Sequence, residues 1–154
     1  MTSDIDALYA DVILDHNKRP RHFRRLETGL RADGVNPLCG DRLTIYLRVE
    51  DGVIREATFQ GFGCAIAKAS ASLMTEAVTG KTVAEADALL ERVERMVTAP
   101  AGAPIDDLGA LSALAGVRQF PARVTCATLP WQTLRAAVTA RAEPVSTESP
   151  IGRA

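Results

Sequence analysis

Residues 42–59 read Arg42-Leu43-Thr44-Ile45-Tyr46-Leu47-Arg48-Val49-Glu50-Asp51-Gly52-Val53-Ile54-Arg55-Glu56-Ala57-Thr58-Phe59. Leu43, Ile45, Leu47 and Val49 alternate with Arg42, Thr44, Tyr46 and Arg48, the period of two that marks a half-buried strand. Asp51-Gly52 signals a hairpin turn, and Val53–Phe59 returns as the second strand. The apolar face also argues a register. A two-residue loop would set Leu47 opposite Glu56 and Ile45 opposite Thr58. A three-residue loop sets Val49 opposite Val53, Ile45 opposite Ala57 and Leu43 opposite Phe59. A slip of one residue flips every side chain to the other face. The expectation is therefore the longer loop, with Gly52 in the left-handed conformation of a bulge.

Downstream of the hairpin, Gly61-Phe62-Gly63 forms a tight corner into Cys64. A helix is predicted over about 65–79, closed by Gly80. Thr82-Val83-Ala84-Glu85 reads as a capping box that opens a second helix to about Val97. Residues 99–104 form an Ala/Pro/Gly linker, and 106–117 a short helix broken at Phe120-Pro121. The last helix is expected over about 126–142, with Pro130 near its first turn, where a missing N–H costs little. Upstream, Ile5, Leu8, Tyr9, Val12 and Ile13 repeat at helical spacing, with Asp4 as N-cap and Pro20 past the end. The fold class that follows is α+β: a small antiparallel sheet, the hairpin 42–60 with room for an edge strand, packed against about five helices. Residues 1–142 make one domain, and the Ser/Pro-rich stretch 143–154 is expected to be a disordered tail.

With 154 residues, 47% of them hydrophobic, the chain can bury a single core without a disulfide framework. Its 18 basic and 19 acidic residues nearly cancel, so no global field argues for nucleic acid or membrane partners. Aromatic residues make up only 5%, too sparse for a base-stacking platform. No apolar run approaches the ~20 residues of a membrane span. The start, Met1-Thr2-Ser3-Asp4-Ile5-Asp6, lacks the basic region of a secretory signal. A cytoplasmic protein is expected.

Three cysteines, widely spaced, suit free thiols, metal ligation or catalysis in a reducing compartment. Cys39, Cys64 and Cys126 each fall at the expected end of an element, and the hairpin brings Cys39 towards Cys64. Two of them sit near expected helix amino termini, where the dipole and backbone N–H groups lower a thiol pKa. Three thiolates make a partial zinc shell, and zinc prefers four ligands. Asp41 lies two residues after Cys39, on the same side of an extended chain, and is the natural fourth. Such a set is formally anionic, and Arg123, three residues before Cys126, is the candidate supporting cation. Buried cysteines also pack as small hydrophobes, so spacing alone leaves both readings open.

Three motifs go further: Asn36-Pro37-Leu38-Cys39-Gly40-Asp41, then Phe59 through Thr75, which contains Gly61-Phe62-Gly63-Cys64-Ala65-Ile66, then Phe120 through Leu129, which contains Arg123-Val124-Thr125-Cys126. With Tyr9 through Arg21, they closely resemble the SufU-type proteins of the U-type (IscU-like) iron–sulfur assembly family. The resemblance covers about residues 5–140. It implies a SufU/IscU-like fold and a Zn²⁺ ion held by Cys39, Asp41, Cys64 and Cys126. It implies a partner, a SufS-type cysteine desulfurase, that supplies a histidine to zinc and frees Cys39 to take persulfide sulfur. Other iron–sulfur assembly proteins would act downstream. IscU-type scaffolds of the family carry a histidine before the last cysteine, where this chain has Thr125. They also carry Leu-Pro-Pro-Val-Lys where Phe120–Val124 stand here. The alternative reading is a scaffold that builds a transient iron–sulfur cluster on the same cysteines. Departures from the pattern are His22 and Arg24 after Pro20-Arg21, and Pro130 before Trp131.

His16 is expected to pack or cap near a helix end, and His22 to lie on the surface. The segment 18–31 carries six basic residues, Lys18, Arg19, Arg21, Arg24, Arg25 and Arg31, against Glu27 alone. It is expected on the surface, either solvated or docking an acidic partner. Trp131, Leu73 and Met74 are expected in the core.

Overall fold

The computed structural model describes the backbone of residues 2–37, 40–139 and 145–146, with the side chains of residues 7, 9–37 and 40–139. Helix α1 spans Thr2–Lys18, followed by strands β1 (Leu30–Asn36), β2 (Asp41–Glu50) and β3 (Val53–Phe62). Then come α2 (Ala65–Val78), α3 (Val83–Thr98), a 3₁₀ helix at Gly109–Gln119, α4 (Pro121–Val138) and a two-residue strand β4 (Val145–Ser146). The sheet order is β3-β2-β1-β4, antiparallel except for the short parallel pairing of β4 with β1. The expected α+β class holds; β1 adds to the hairpin beside β2, and the short β4 lies at the sheet edge beyond it. The boundary expected at 142/143 falls outside the described residues, as does the expected tail apart from Val145–Ser146.

The hairpin register differs from expectation in an instructive way. Glu50 pairs with Val53, so the loop has two residues, Asp51 and Gly52, both at positive φ (53° and 75°). That is the primed turn whose twist matches the flanking strands. The register then shifts between Arg48 and Val49, so that Leu47 meets Ala57 and Ile45 meets Phe59. The apolar face is restored by a bulge in β3 at Arg55, not by a longer loop. Ile54 precedes the bulge and Ala57 follows it, and both are buried. An extra residue was needed because these two positions differ in parity and must face the same core.

Helices cover one face of that sheet. α4 packs along β1 and β2, α2 lies against α4 and β3, and α1 lies against α2 and the 3₁₀ helix. Ile45, Leu47, Ile54, Phe59, Met74, Leu90, Leu114, Leu129, Trp131 and Leu134 form the centre of the core. The capping box is present as read: Glu85 N–H donates to Thr82 Oγ1 (3.1 Å), and Thr82 N–H donates to Glu85 Oε1 (2.9 Å). Tyr46, on the polar face, is buried as well, with the Arg31 guanidinium 5.8 Å above its ring.

Three element boundaries move. α1 begins at Thr2, which puts Asp4 inside the helix and not at its N-cap. α4 begins at Pro121, five residues earlier than expected. Proline is preset for the first helical position, so Phe120-Pro121 starts this helix where it was read as a break. As a result Pro130 lies inside α4, and Cys126 sits in its second turn. The stretch read as a helix over 106–117 is a 3₁₀ helix, with Ser112 Oγ accepting from Leu108 N–H (2.8 Å) just ahead of it.

Segment 18–31 is on the surface, with Lys18, Arg19, Arg24, Arg25 and Arg31 exposed. It is pinned where it crosses α2. His16 Nδ1 and Ser72 Oγ are 2.7 Å apart, and Ser72 Oγ also accepts from Arg21 N–H (2.8 Å). His22 is only half exposed, at positive φ (57°), with Nδ1 3.0 Å from Thr75 Oγ1. The expectation of a surface His22 is corrected: its carbonyl also accepts from Phe59 N–H (3.1 Å), which ties the segment to the outer edge of β3.

Candidate metal centre

Two chain reversals and the second turn of α4 create the site. The chain reverses between Asn36, which ends β1, and Asp41, which starts β2; Gly40 N–H donates to Asn36 C=O (2.9 Å), with Gly40 at φ 72°. This leaves Asp41 at the start of β2, opposite Asn36, with its carboxylate turned inward and 2% exposed. Near the end of β3, Gly61 at φ 139° runs so close to its neighbour strand that a Cβ there would lie 2.2 Å from Arg42 O. Gly63 follows, and Cys64 is the N-cap of α2. Cys126 enters from the second turn of α4, fully buried.

Ligand atoms of Asp41, Cys64 and Cys126 all lie within 4.8 Å of one another. Asp41 Oδ1 accepts from the Cys64 backbone N–H at 2.7 Å, and its Oδ2 lies 4.0 Å from Cys64 Sγ. One carboxylate oxygen thus fixes the corner while the other faces the sulfur. Asn36 completes the frame from β1. Its Nδ2 donates to Asp41 Oδ2 (3.4 Å), Thr125 Oγ1 (3.3 Å) and Cys126 Sγ (3.6 Å). No role was read for Asn36 from the sequence, although it opens the motif that contains Cys39 and Asp41. Neither its position nor its residue type indicates a contact with α4.

The electrostatics are those of a site that stabilises thiolate. The Cys64 thiol is lowered to about 6, first by a hydrogen bond from Cys126 and then by backbone N–H groups of Ala67 and Ile66 in the first turn of α2. Burial and the Asp41 carboxylate oppose this, and the hydrogen bonds win. Arg123 is exposed on α4, and its guanidinium is held more firmly charged by hydrogen bonding to Cys126 and by the nearby Cys64. The helix-terminus argument therefore holds for Cys64. It does not hold for Cys126, which sits too far into α4.

Cys39 lies outside the described residues. Two peptide units separate it from Asp41, which limits the distance between their Cα atoms to ~7 Å. Neither His16 nor His22 belongs to the cluster. The donor set fits zinc in kind: two cysteine sulfurs and one carboxylate converge.

Comparison with known proteins gives this geometry its family. Residues 8–127 match the model of the NifU-like N terminal domain. The chain belongs to the NifU-like N-terminal domain family. It is 39% identical over 136 residues to the Zinc-dependent sulfurtransferase SufU of Bacillus subtilis, spanning 88% of this chain and 92% of that one. It is 38% identical over 136 residues to the Iron-sulfur cluster assembly scaffold protein IscU of Streptococcus pyogenes, spanning 88% and 86%. Among solved structures, a putative iron-sulfur cluster assembly scaffold protein for the SUF system from Fervidobacterium islandicum aligns with a TM-score of 0.78 at 33% identity. That alignment covers 86% of this chain and 97% of the other. This NifU-like domain is thus an iron–sulfur cluster assembly protein of the IscU/SufU type, and its α+β fold is that of the family.

Proposed function

We propose that this protein is a zinc-dependent sulfur acceptor, which takes persulfide sulfur from a SufS-type cysteine desulfurase and passes it on for iron–sulfur cluster assembly. The convergence of Asp41, Cys64 and Cys126 on one point carries this reading. The likeness to a relative named a zinc-dependent sulfurtransferase supports it.

Cys39, Asp41, Cys64 and Cys126 would hold Zn²⁺, which when bound keeps thiolates deprotonated and protected from oxidation. The chain's own residues supply the rest. Asn36 and the Cys64 N–H orient the carboxylate. Arg123 places a fixed positive charge beside the sulfur atoms. Cys39 is the acceptor. Its thiolate attacks the outer sulfur of a cysteine persulfide on the donor enzyme, and the donor's S–S bond breaks. The donor cysteine leaves as a thiolate, and Cys39 carries the persulfide. No oxidant or reductant is consumed.

A scaffold role is the second reading, favoured by the nearly equal identity to relatives named as scaffolds. Cysteine thiolates bind iron–sulfur clusters and zinc alike. Thr125 supplies no ring nitrogen beside Cys126, and its hydroxyl lies 3.3 Å from Asn36 Nδ2. We place the protein in the cytoplasm; among the described residues no helix is long and apolar enough to cross a membrane. Residues 1–142 act as one domain, to whose sheet Val145–Ser146 adds a short strand.

The test is to purify the protein, measure its metal, and assay a cognate desulfurase with and without it. Near-stoichiometric zinc and stimulation lost in Cys39→Ala support the relay. Stimulation that survives Cys39→Ala removes Cys39 as acceptor. A stable visible-absorbing cluster with little zinc supports the scaffold.

A further inference from the structure

The side chain of Asn36 has no exposure to solvent, and it reaches two of the three converging ligands. Its Nδ2 lies 3.4 Å from Asp41 Oδ2 and 3.6 Å from Cys126 Sγ, with Thr125 Oγ1 as a third acceptor at 3.3 Å. A carboxylate accepts and does not donate, so the nitrogen of the amide, not its oxygen, faces the cluster. Two N–H groups are thus shared among three acceptors, two of them ligand atoms. The backbone of Asn36 is fixed independently. It pairs with Asp41 across the β1–β2 reversal, and its C=O accepts from Gly40 N–H (2.9 Å). Two residues earlier, Gly34 lies close under Leu129 and Thr133 of α4. Asn36 therefore stands at the seam between sheet and helix, and its amide ties Cys126, 90 positions away, to the corner that carries Asp41.

Burial divides the centre in two. Asp41 and Cys126 are 2% and 0% exposed and share the Asn36 amide. Cys64 is half-buried and is anchored by its own helix, where the first-turn N–H groups of Ala67 and Ile66 bond its sulfur. Cys126 rides on α4, and a shift of α4 along β1 would carry it away from Asp41. A sulfur acceptor that releases one thiolate, Cys39 on the reading above, must keep its other three ligands in place or lose the ion as well. We infer that Asn36 is the positioning residue that holds Asp41 and Cys126 together as a fixed pair while the site is down to three ligands, and so decides whether the metal is retained during sulfur transfer. This rests on the sulfur-acceptor reading and identifies the part of the site that stays shut. Hydrogen bonds to metal ligands typically support affinity about 10–100-fold. Here that support counts most when a ligand is missing, because four ligands brace one another through the ion and three do so less.

The experiment is a double-mutant cycle read by the rate of zinc release to a chromogenic chelator. Asn36→Ala, and Asn36→Leu, which keeps the volume and removes both donors, are each made in wild type and in Cys39→Ala, which leaves three ligands. Melting temperature establishes that each variant is folded. The expected result is that loss of the amide speeds zinc release about threefold in wild type and about thirtyfold or more in Cys39→Ala. A merely structural role gives the same factor in both backgrounds, so factors within twofold of each other overturn the proposal. Release restored to the parent rate in Asn36→Leu assigns the effect to volume and overturns it too. A second measurement needs no change at Asn36. In cadmium-substituted wild type, nuclear magnetic resonance should show coupling from the cadmium nucleus to an Asn36 Nδ2 proton through the Cys126 sulfur, and its absence refutes the hydrogen bond on which the proposal stands. Wild type that holds zinc but accepts no sulfur refutes the sulfur-acceptor reading, while unequal release factors in that same protein still support Asn36 as the residue that retains the metal. Wild type that holds no zinc refutes both.

Discussion

Gly63→Ala tests the geometry of the centre without touching a ligand. A Cβ at Gly63 would lie 2.5 Å from Asp41 Oδ1 and 3.0 Å from Asp41 Cγ. Contacts under 3.0 Å are essentially never made, so the carboxylate must retreat by at least about 0.5 Å. Asp41 is almost completely buried, and its Oδ1 is held by the Cys64 N–H at 2.7 Å. Retreat breaks that charge-assisted bond, worth about 2 kcal/mol, and turns Oδ2 away from the sulfur. At 1.4 kcal/mol per factor of ten, zinc affinity should fall about thirty-fold, within the 10–100-fold range for losing the support of a metal ligand. Gly63 does not occupy the left-handed region, so backbone strain does not confuse the outcome. The assay is competition for zinc against a chromogenic chelator at fixed pH, with Asp41→Ala as the reference for a lost ligand. Zinc affinity within twofold of wild type would falsify the placement of Asp41 at the metal.

Three further outcomes are expected. In the metal-free protein, alkylation of Cys64, mapped by mass spectrometry, should titrate with a midpoint near 6, because Cys126 and the N-terminal N–H groups of α2 stabilise its thiolate; a midpoint at 8.5 or above refutes the hydrogen-bonded arrangement. His16 is lowered from 6.5, first by burial and then by Arg21, against the pull of Glu76 and Asp15. Its contribution to stability is therefore complete above pH 6.5 and is lost as pH falls through the lower folded value. His16→Gln should flatten the fall of melting temperature between pH 7 and 5, and an identical slope in both proteins counts against this. Gly34→Ala should cost about 2 kcal/mol, because the added Cβ would meet Thr133 Oγ1 at 2.1 Å and Leu129 Cδ1 at 3.1 Å across the β1–α4 contact. That is a drop of roughly 6 °C for a domain of this size, and an unchanged melting temperature would contradict the close packing of α4 on the sheet.

The centre is built from the end of β1, the starts of β2 and α2, and the second turn of α4. Asn36 and Asp41 face each other across the β1–β2 reversal, Cys64 caps α2, and Cys126 arrives from α4. Close backbone approaches and the Asp41 carboxylate hold the first three together: Gly40 at positive φ, Gly61 against Arg42 O, Gly63 under the carboxylate, and the hydrogen bonds that carboxylate accepts from Asn36 Nδ2 and the Cys64 N–H. The fourth depends on α4 packing along β1 and α2. There Ser70 Oγ donates to Ala127 C=O (2.6 Å), and Trp131 Nε1 donates to Ser70 Oγ (3.2 Å), one turn beyond Cys126. Stability of the core and geometry of the thiols are thus coupled through Ser70.

Several local signals were legible in the chain. The alternation Leu43, Ile45, Leu47 predicts a strand with one buried face, and the Thr82–Glu85 capping box predicts the start of α3, because each depends on neighbours within a few residues. The chemistry of the site was legible as residue type, in the Cys64 and Cys126 thiols and the Asp41 carboxylate, carried by motifs that also indicate the family. What the sequence left open required long-range packing. The bulge at Arg55 exists because Ile54 and Ala57 must reach one core from positions of opposite parity. Pro121 starts α4 where the same Phe120-Pro121 pair also reads as a break, since proline suits the first helical position as well as a stop. Asn36 meets Thr125 and Cys126, residues about ninety positions away, only once α4 lies on β1. Sequence determined which atoms could bind a metal; the tertiary structure decided that Asp41, Cys64 and Cys126 converge, because bringing distant elements together is a property of the whole core and of no single segment.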